Sequence, residues 1–349
     1  MAFDPSTLGL PVELTQIPSQ LKALWGNEEH RTRASLLNLV VYCQGTSSFT
    51  TNTELISRFV RSHACRAILL GDCPAAEAAP KVSAWIQAHC HLNKAGAQEI
   101  CSEQITFLAE GISQTGIANL LMANLDYDLP LNLWWQGDLP AQPNSPLWQR
   151  VDRLIFDSLH WRDPSEALHR LTLIREQVGP RVTFADLNWT RTLSLRQAVA
   201  QCFDMPELQN ELGKLNHLEI RHAPEARLGA MLLASWFAAQ LGWMVVDHEP
   251  TAIHFRTPTG VSLTCSFLTG LSDSLSGLTI RSDHASLSLE REVGSTLFQS
   301  VVKTVTGTTT AHFAAGNDDL RSLLSEEMTP GTKHRVYLKA LTILQVLIP

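Results

Sequence analysis

The chain reads as an α/β protein: a mostly parallel open sheet with an inserted antiparallel hairpin, followed by a smaller C-terminal α+β domain. Three observations carry that reading. Leu129 to Gly137 sets Trp134 beside Trp135, and neighbouring residues of a strand point to opposite faces, so one ordinary core cannot take both indoles. Either the strand is covered on both sides, as in the middle of a parallel sheet, or one indole meets a partner. Residues 36–70 follow a β‑α‑β pattern, whose crossover is right-handed and whose strands run parallel. Strands and helices then keep alternating, which argues for an open sheet covered by helices.

The elements follow in order. Leu36 to Cys43 is a strand, and after Gly45 a helix opens at Thr51, with Glu54 at the capping-box spacing. Leu55, Ile56, Phe59 and Val60 give that helix one apolar stripe. Arg66 to Leu70 is the next strand. Two longer strands, Val82 to His91 and Gln98 to Leu108, are joined as a hairpin through Asn93 to Gly96. On the second of them Glu103 shares an apolar face with Cys101, Ile105 and Phe107. It therefore needs an Arg partner or a hydrogen-bond donor, serves as an acid or base, or lies at an edge where it reaches water.

A helix from Ser113 to Leu125 leads to the tryptophan strand, and Arg153 to Ser158, a helix over Pro164–Gln177 and a weak strand near Val182–Ala185 repeat the pattern. Residues 206–225 have no firm assignment and are read as the bridge between domains 1–205 and 206–349. A buried helix spans Ala226–Leu241. The 19 residues from Leu228 to Val246 carry no charge and match a membrane span in length, but Gln240 interrupts them and Gly242 stops the helix before a strand, Trp243 to Val246. Antiparallel strands near Thr251–Thr257, Val261–Leu268, Leu278–Arg281 and Ser286–Arg291 come next. Helices near Ser295–Thr306, Asp318–Glu327 and Lys333–Val346 finish the chain.

A length of 349 residues with 44% hydrophobic content supports two cores. The net charge of −7 argues against nucleic acid and anionic membranes as partners. Seven irregularly spaced cysteines and the absence of a secretory leader point to a reducing cytoplasm.

Ligands of parallel sheets gather beyond the carboxyl ends of the strands, here Cys43–Gly45, Gly71–Asp72, Gln136–Gly137, Asp157–Ser158 and Asp186–Trp189. The glycine spacing of a dinucleotide site, a Walker loop and a nucleophile elbow are all missing from the sequence. In His89–His91, His89 and His91 share a strand face and Cys101 could lie opposite, but no compact fourth ligand completes a metal set, so no metal and no other cofactor is expected. Arg58, Arg61, His63 and Arg66 gather at the end of the first helix, where cations complement the helix dipole or form an anion pocket. Cys65 beside them, together with Cys43 and Cys101, is a candidate for redox control.

Several segments in succession resemble one family, the glucose‑6‑phosphate dehydrogenase assembly (OpcA) proteins of cyanobacteria and actinobacteria. They are His63–Arg66, Glu99–Ile105, Asp128–Gly137, Asp152–Ser158 and Asp186–Arg191 with Arg196. Ala64 stands where that family usually has proline, and Gln136 where arginine is frequent, so a salt bridge cannot be carried over to position 136. The resemblance implies a non-catalytic cytoplasmic accessory protein that binds glucose‑6‑phosphate dehydrogenase, promotes its active oligomer and raises its activity in the oxidative pentose phosphate pathway. Trp135, Trp189, Arg191 and Arg196 are expected to belong to, or to support, the surface that meets the dehydrogenase, because tryptophan and arginine dominate binding hot spots. The other expectation is a core position for Trp134 and Trp189 and an internal Asp186–Arg191 ion pair. The competing class is an enzyme or sensor that holds a nucleotide or sugar phosphate at the sheet edge, with Asp157, Asp186 and Glu103 as acid or base groups.

Overall fold

The first unit is built from strands too apolar to face water. The computed structural model describes residues 4–25, 31–33, 35–75, 79–92, 99–143, 146–270, 274–328 and 334–348. In chain order the elements are β1 (Leu10–Val12), α1 (Ile17–Trp25), β2 (Arg31–Arg33), β3 (Asn38–Gln44), α2 (Phe49–Phe59), β4 (Arg66–Cys73), β5 (Lys81–Leu92), β6 (Glu99–Glu110), α3 (Gln114–Asn124), β7 (Leu131–Gln136), α4 (Pro146–Arg150), β8 (Val151–Phe156), α5 (Pro164–Val178) and β9 (Thr183–Asp186). The sheet order is β1‑β5‑β6‑β4‑β3‑β7‑β8‑β9, with β2 also on β6. β6, β4, β3, β7 and β8 are mutually parallel, while β5 is the antiparallel insertion.

Burial along β3 and β7 is continuous from Asn38 to Cys43 and from Leu131 to Trp135, as strands covered on both faces require. Trp135 lies opposite Tyr42 in the β3–β7 register, and the two rings stack at 3.7 Å and 14°. Such a cross-strand aromatic pair adds about 1 kcal/mol beyond its buried area. Helix α2 begins at Phe49, two residues before the capping box expected at Thr51, and Ser48 precedes it without a side-chain cap bond. The expected hairpin turn at Asn93–Gly96 lies outside the described residues.

The second unit follows with α6 (Leu187–Arg191), α7 (Leu193–Cys202), α8 (Pro206–Gln209), β10 (His217–His222), α9 (Arg227–Leu241), β11 (Met244–Glu249), β12 (Ala252–Arg256), β13 (Ser262–Thr269), β14 (Leu275–Arg281), β15 (Ser286–Glu290), β16 (Leu297–Thr304), β17 (Gly307–Ala314), α10 (Leu320–Glu327) and α11 (Arg335–Leu347). By contacts the units divide as 1–156, 169–185 and 327–330 against 157–168, 186–326 and 331–349. Residues 186–205 thus go with the second unit, before the 205/206 boundary read from the sequence.

Its eight strands run in the order β11‑β12‑β13‑β10‑β14‑β15‑β16‑β17. Two expectations fail here. The unassigned stretch 206–225 contains β10, a central strand with alternating burial that pairs parallel with β13, so the sheet is not wholly antiparallel. The helix expected at Ser295–Thr306 is a strand, because Phe298, Ser300 and Val302 are buried on one face with period two while Gln299 and Lys303 point outward. Gly242, at φ 68°, closes α9 in the left-handed conformation that glycine adopts without penalty. No helix among the described residues is long and apolar enough to cross a membrane.

Candidate functional site

The carboxyl edge of the first sheet is filled by its own side chains. Gln136, at the end of β7, donates through Nε2 to Asn52 Oδ1 at 3.0 Å and accepts from Asn52 Nδ2 at 2.8 Å. Its Oε1 also accepts from Cys43 Sγ at 3.2 Å and Ser48 Oγ at 3.3 Å. Close by, a Cβ on Gly71 would meet the Phe49 ring at 2.4 Å, so that ring lies against the backbone of β4. Tyr42 Oη donates to Asp72 Oδ2 at 2.6 Å, and burial followed by that bond holds its pKa far above the ordinary range. A ligand entering between Gln136 and Asn52 would have to displace a set of mutually bonded groups.

The other polar residues singled out from the sequence converge in the second unit. Asp186 caps α6 by accepting from the Asn188 N–H at 3.0 Å, and also accepts from the Ser158 N–H at 3.0 Å and Tyr337 Oη at 3.2 Å. Complete burial outweighs those bonds and pushes its carboxyl up to about 7. Arg191 does not pair with Asp186 as expected; its two terminal nitrogens grip both oxygens of Asp157 at 2.7 Å. Burial pulls the Arg191 pKa down, but the bonds and charge of Asp157 more than offset it, so the group stays a cation. Trp189 is buried against Tyr337, and the Arg196 guanidinium lies 3.6 Å over its indole while Nε donates to Thr192 Oγ1 at 2.8 Å. Trp135 is equally buried, its indole N–H donating to the Asp138 carbonyl at 2.9 Å. None of the four therefore offers a bare side chain to a partner: the two tryptophans are core, Arg191 is held by Asp157 and Arg196 by its neighbours Thr192 and Trp189.

Beside Arg191 the second unit encloses a cavity of about 550 Å³, within the range of small-molecule sites. Its wall includes Asn188, Arg191, Leu275, Arg291, Phe298 and Asp318. Arg291 reaches Asp318 at 3.6 Å, and burial raises the Asp318 carboxyl above its ordinary pKa. The wall thus presents the Arg291–Asp318 couple and the Arg191 guanidinium on a partly apolar ground. The sequence carried no signal for Arg291 and Asp318, since each sits in a loop remote from the segment that bears Arg191.

Glu103 is buried and gripped by Arg66 through Nε at 3.0 Å and a terminal nitrogen at 2.8 Å, so it is the Arg-partnered carboxylate rather than one reaching water at an edge. The cluster around Arg66 disperses accordingly: Arg58 makes only a loose exposed contact with Glu54 at 3.9 Å, and His63 stacks on Phe59. Among the cysteines, Cys101 is joined to Cys90 in a disulfide between directly opposed residues of β5 and β6. Burial pushes the thiols of Cys43 and Cys65 up to about 11 and about 12, so neither is a thiolate at neutral pH. His89 Nε2 is bonded to Gln104 Oε1 at 2.8 Å, and no metal-binding group of three occurs among the described residues.

Comparison with known proteins gives two family matches in sequence order. Residues 57–173 match the glucose‑6‑phosphate dehydrogenase subunit N-terminal domain, and residues 182–341 match the C-terminal domain of the same subunit. A curated protein of Synechocystis sp., named for the OxPP cycle and for OpcA, is 29% identical over 193 residues, which is 54% of this chain. The chain spans only 39% of the length of that relative. Among solved structures, the transcriptional regulator Gal80p from Kluyveromyces lactis is 10% identical with a TM-score of 0.48, over 90% of this chain and 88% of that one. An NAD-binding oxidoreductase from Klebsiella pneumoniae is 8% identical with a TM-score of 0.47, over 90% of this chain and 95% of that one. Likeness of that degree says nothing of what this chain does.

Proposed function

The chain belongs to the OpcA family of glucose‑6‑phosphate dehydrogenase subunits, and from that premise we propose that it is a non-catalytic accessory protein that binds the dehydrogenase and favours its active form. The observation that carries this reading is the ordered match to both domains of the subunit. The mutual bonding of Gln136, Asn52, Ser48 and Cys43 at the ends of β3 and β7 supports it further, because a nucleotide or sugar phosphate bound there would have to break those bonds. An activator must bind the active state of its target more tightly than the inactive one, since equal affinity shifts no population.

The part of Trp135, Trp189, Arg191 and Arg196 in this reading is to stiffen the surface that meets the dehydrogenase, because all four are fixed by stacking or ion pairing. The protein acts in the cytoplasm, in the oxidative pentose phosphate pathway. Redox control of the accessory role runs through Cys90 and Cys101, the paired thiols directly opposed on adjacent strands.

Titrating the protein into purified dehydrogenase tests the proposal. The expected result is a lower apparent KM for glucose 6‑phosphate, or a larger dehydrogenase assembly by light scattering. Unchanged kinetics and unchanged mass across the titration would refute it. A folded Arg191→Ala variant that activates as well as the parent would remove Arg191 from the role given to it. Adding a dithiol reductant before the titration reads out Cys90 and Cys101, and no change in activation rejects the redox part alone.

A further inference from the structure

The ends of the two sheets are not equally protected against pairing with another strand. Unpaired edges are templates for β‑pairing, and proteins blunt them with short strands, proline, charges or bulges. β1 has three residues and carries Pro11, and β9 has four. β11 is interrupted by a bulge between Val245 and Asp247 and ends in Asp247, His248 and Glu249. β17 has none of these devices. It runs eight residues, Gly307–Ala314, in unbroken register with β16, and holds no proline, no carboxylate and no lysine or arginine.

Its backbone directions follow from one bond. The Ala315 N–H donates to the Thr296 carbonyl at 2.8 Å, so in the antiparallel ladder the alternate residues 309, 311 and 313 also turn their backbone groups toward β16. Thr308, Thr310, His312 and Ala314 therefore turn their N–H and C=O groups to the free side. Thr308, Thr309 and Thr310 are exposed, and β17 is the last strand of its sheet among the described residues.

We propose that the free edge of β17 is an interface between two copies of this chain, formed by antiparallel pairing of the two β17 strands about a two-fold axis. A two-fold axis makes such a contact self-complementary. Centred on Ala311, it sets Thr308 opposite Ala314 and Thr310 opposite His312, each pair occurring twice, with every outward backbone group engaged and no like side-chain charges between Lys, Arg, Asp or Glu opposed. The β-branched threonines favour the extended backbone this requires. The occupant is a second copy because the complementarity lies wholly within this strand, and it needs neither the dehydrogenase nor any other partner.

Sedimentation velocity of the full chain alone, from about 1 to 100 µM, tests the proposal in the range where weak dimers form. The wild-type mass should rise toward twice that of one chain. Thr310→Pro removes an outward N–H without touching a bond to β16, and proline is tolerated at such an edge position. This variant should keep the single-chain mass throughout, with an unchanged circular dichroism spectrum and melting temperature. Should it misfold, Thr310→Lys brings like charges toward the axis and should weaken self-association at least about tenfold at low salt. A wild-type chain that stays single over the whole range overturns the proposal, as does a folded variant that associates as strongly as the parent.

Discussion

The carboxyl edge of the first sheet and the cavity wall of the second unit are both lined with polar side chains, yet neutral groups pair at the one and charged groups at the other. At the first, Gln136, Asn52, Ser48 and Cys43 are bonded to one another. At the second, Arg191 is paired with Asp157 and still borders a cavity of about 550 Å³. Neutral amides close a gap because each offers donor and acceptor to its neighbour. A guanidinium gripping a carboxylate uses one edge of each group and leaves further N–H groups and lone pairs for whatever lies beside them. Polarity at a strand end is therefore a poor guide to a ligand, and the state of pairing is a better one.

Breaking the charged couple should have the largest effect. Arg191→Ala leaves Asp157 largely buried without its partner and is expected to lower the unfolding free energy by about 3–5 kcal/mol in urea denaturation. A loss below about 1 kcal/mol would show that Asp157 reaches water when its partner is gone, and the contrast with the amide site would collapse. Gln136→Ala should cost less, about 1–3 kcal/mol, because it strands neutral donors rather than a charge. Equal costs at the two sites would likewise end the distinction.

Asp186 sharpens the comparison through pH. Its folded pKa of about 7 lies above that of an unfolded aspartate, so the stability tied to its neutral form is fully present below about pH 4 and is lost as pH rises toward and through 7. The stability of Asp186→Asn relative to the parent should therefore climb by about 1 kcal/mol per unit between pH 4 and 7 and level off above that range. A flat difference in denaturation midpoints over that window would mean that Asp186 is ionised inside the fold. The smallest effect is expected at Asp318→Asn: its contact with Arg291 is 3.6 Å long and a third exposed, so the change should stay within about 0.5 kcal/mol.

The parts of this architecture that depend on local period were readable from the residues. Of the two outcomes open to Trp134 beside Trp135, cover on both faces is the one found, and the β‑α‑β pattern of residues 36–70 became β3, α2 and β4. Glu103 on an apolar face was expected to need an arginine among other outcomes, and Arg66 is that arginine. Where the reading failed, polarity had masked the period. His217–His222 alternates apolar with charged residues on the open face of its sheet, and β17 is mostly threonine and alanine, so neither stands out from a loop.

The amino-acid sequence by itself determined which segments are strands covered on both faces and which helices are buried, because each of these rests on side chains a few residues apart. Only the tertiary structure decided that Arg191 takes Asp157 rather than the nearer Asp186, that Gln136 meets Asn52 across 84 residues, and that Arg291 and Asp318 close a wall around Arg191. Choice among distant partners depends on where strands and loops end in space. A periodic pattern records which way a side chain points, but not what it will find there.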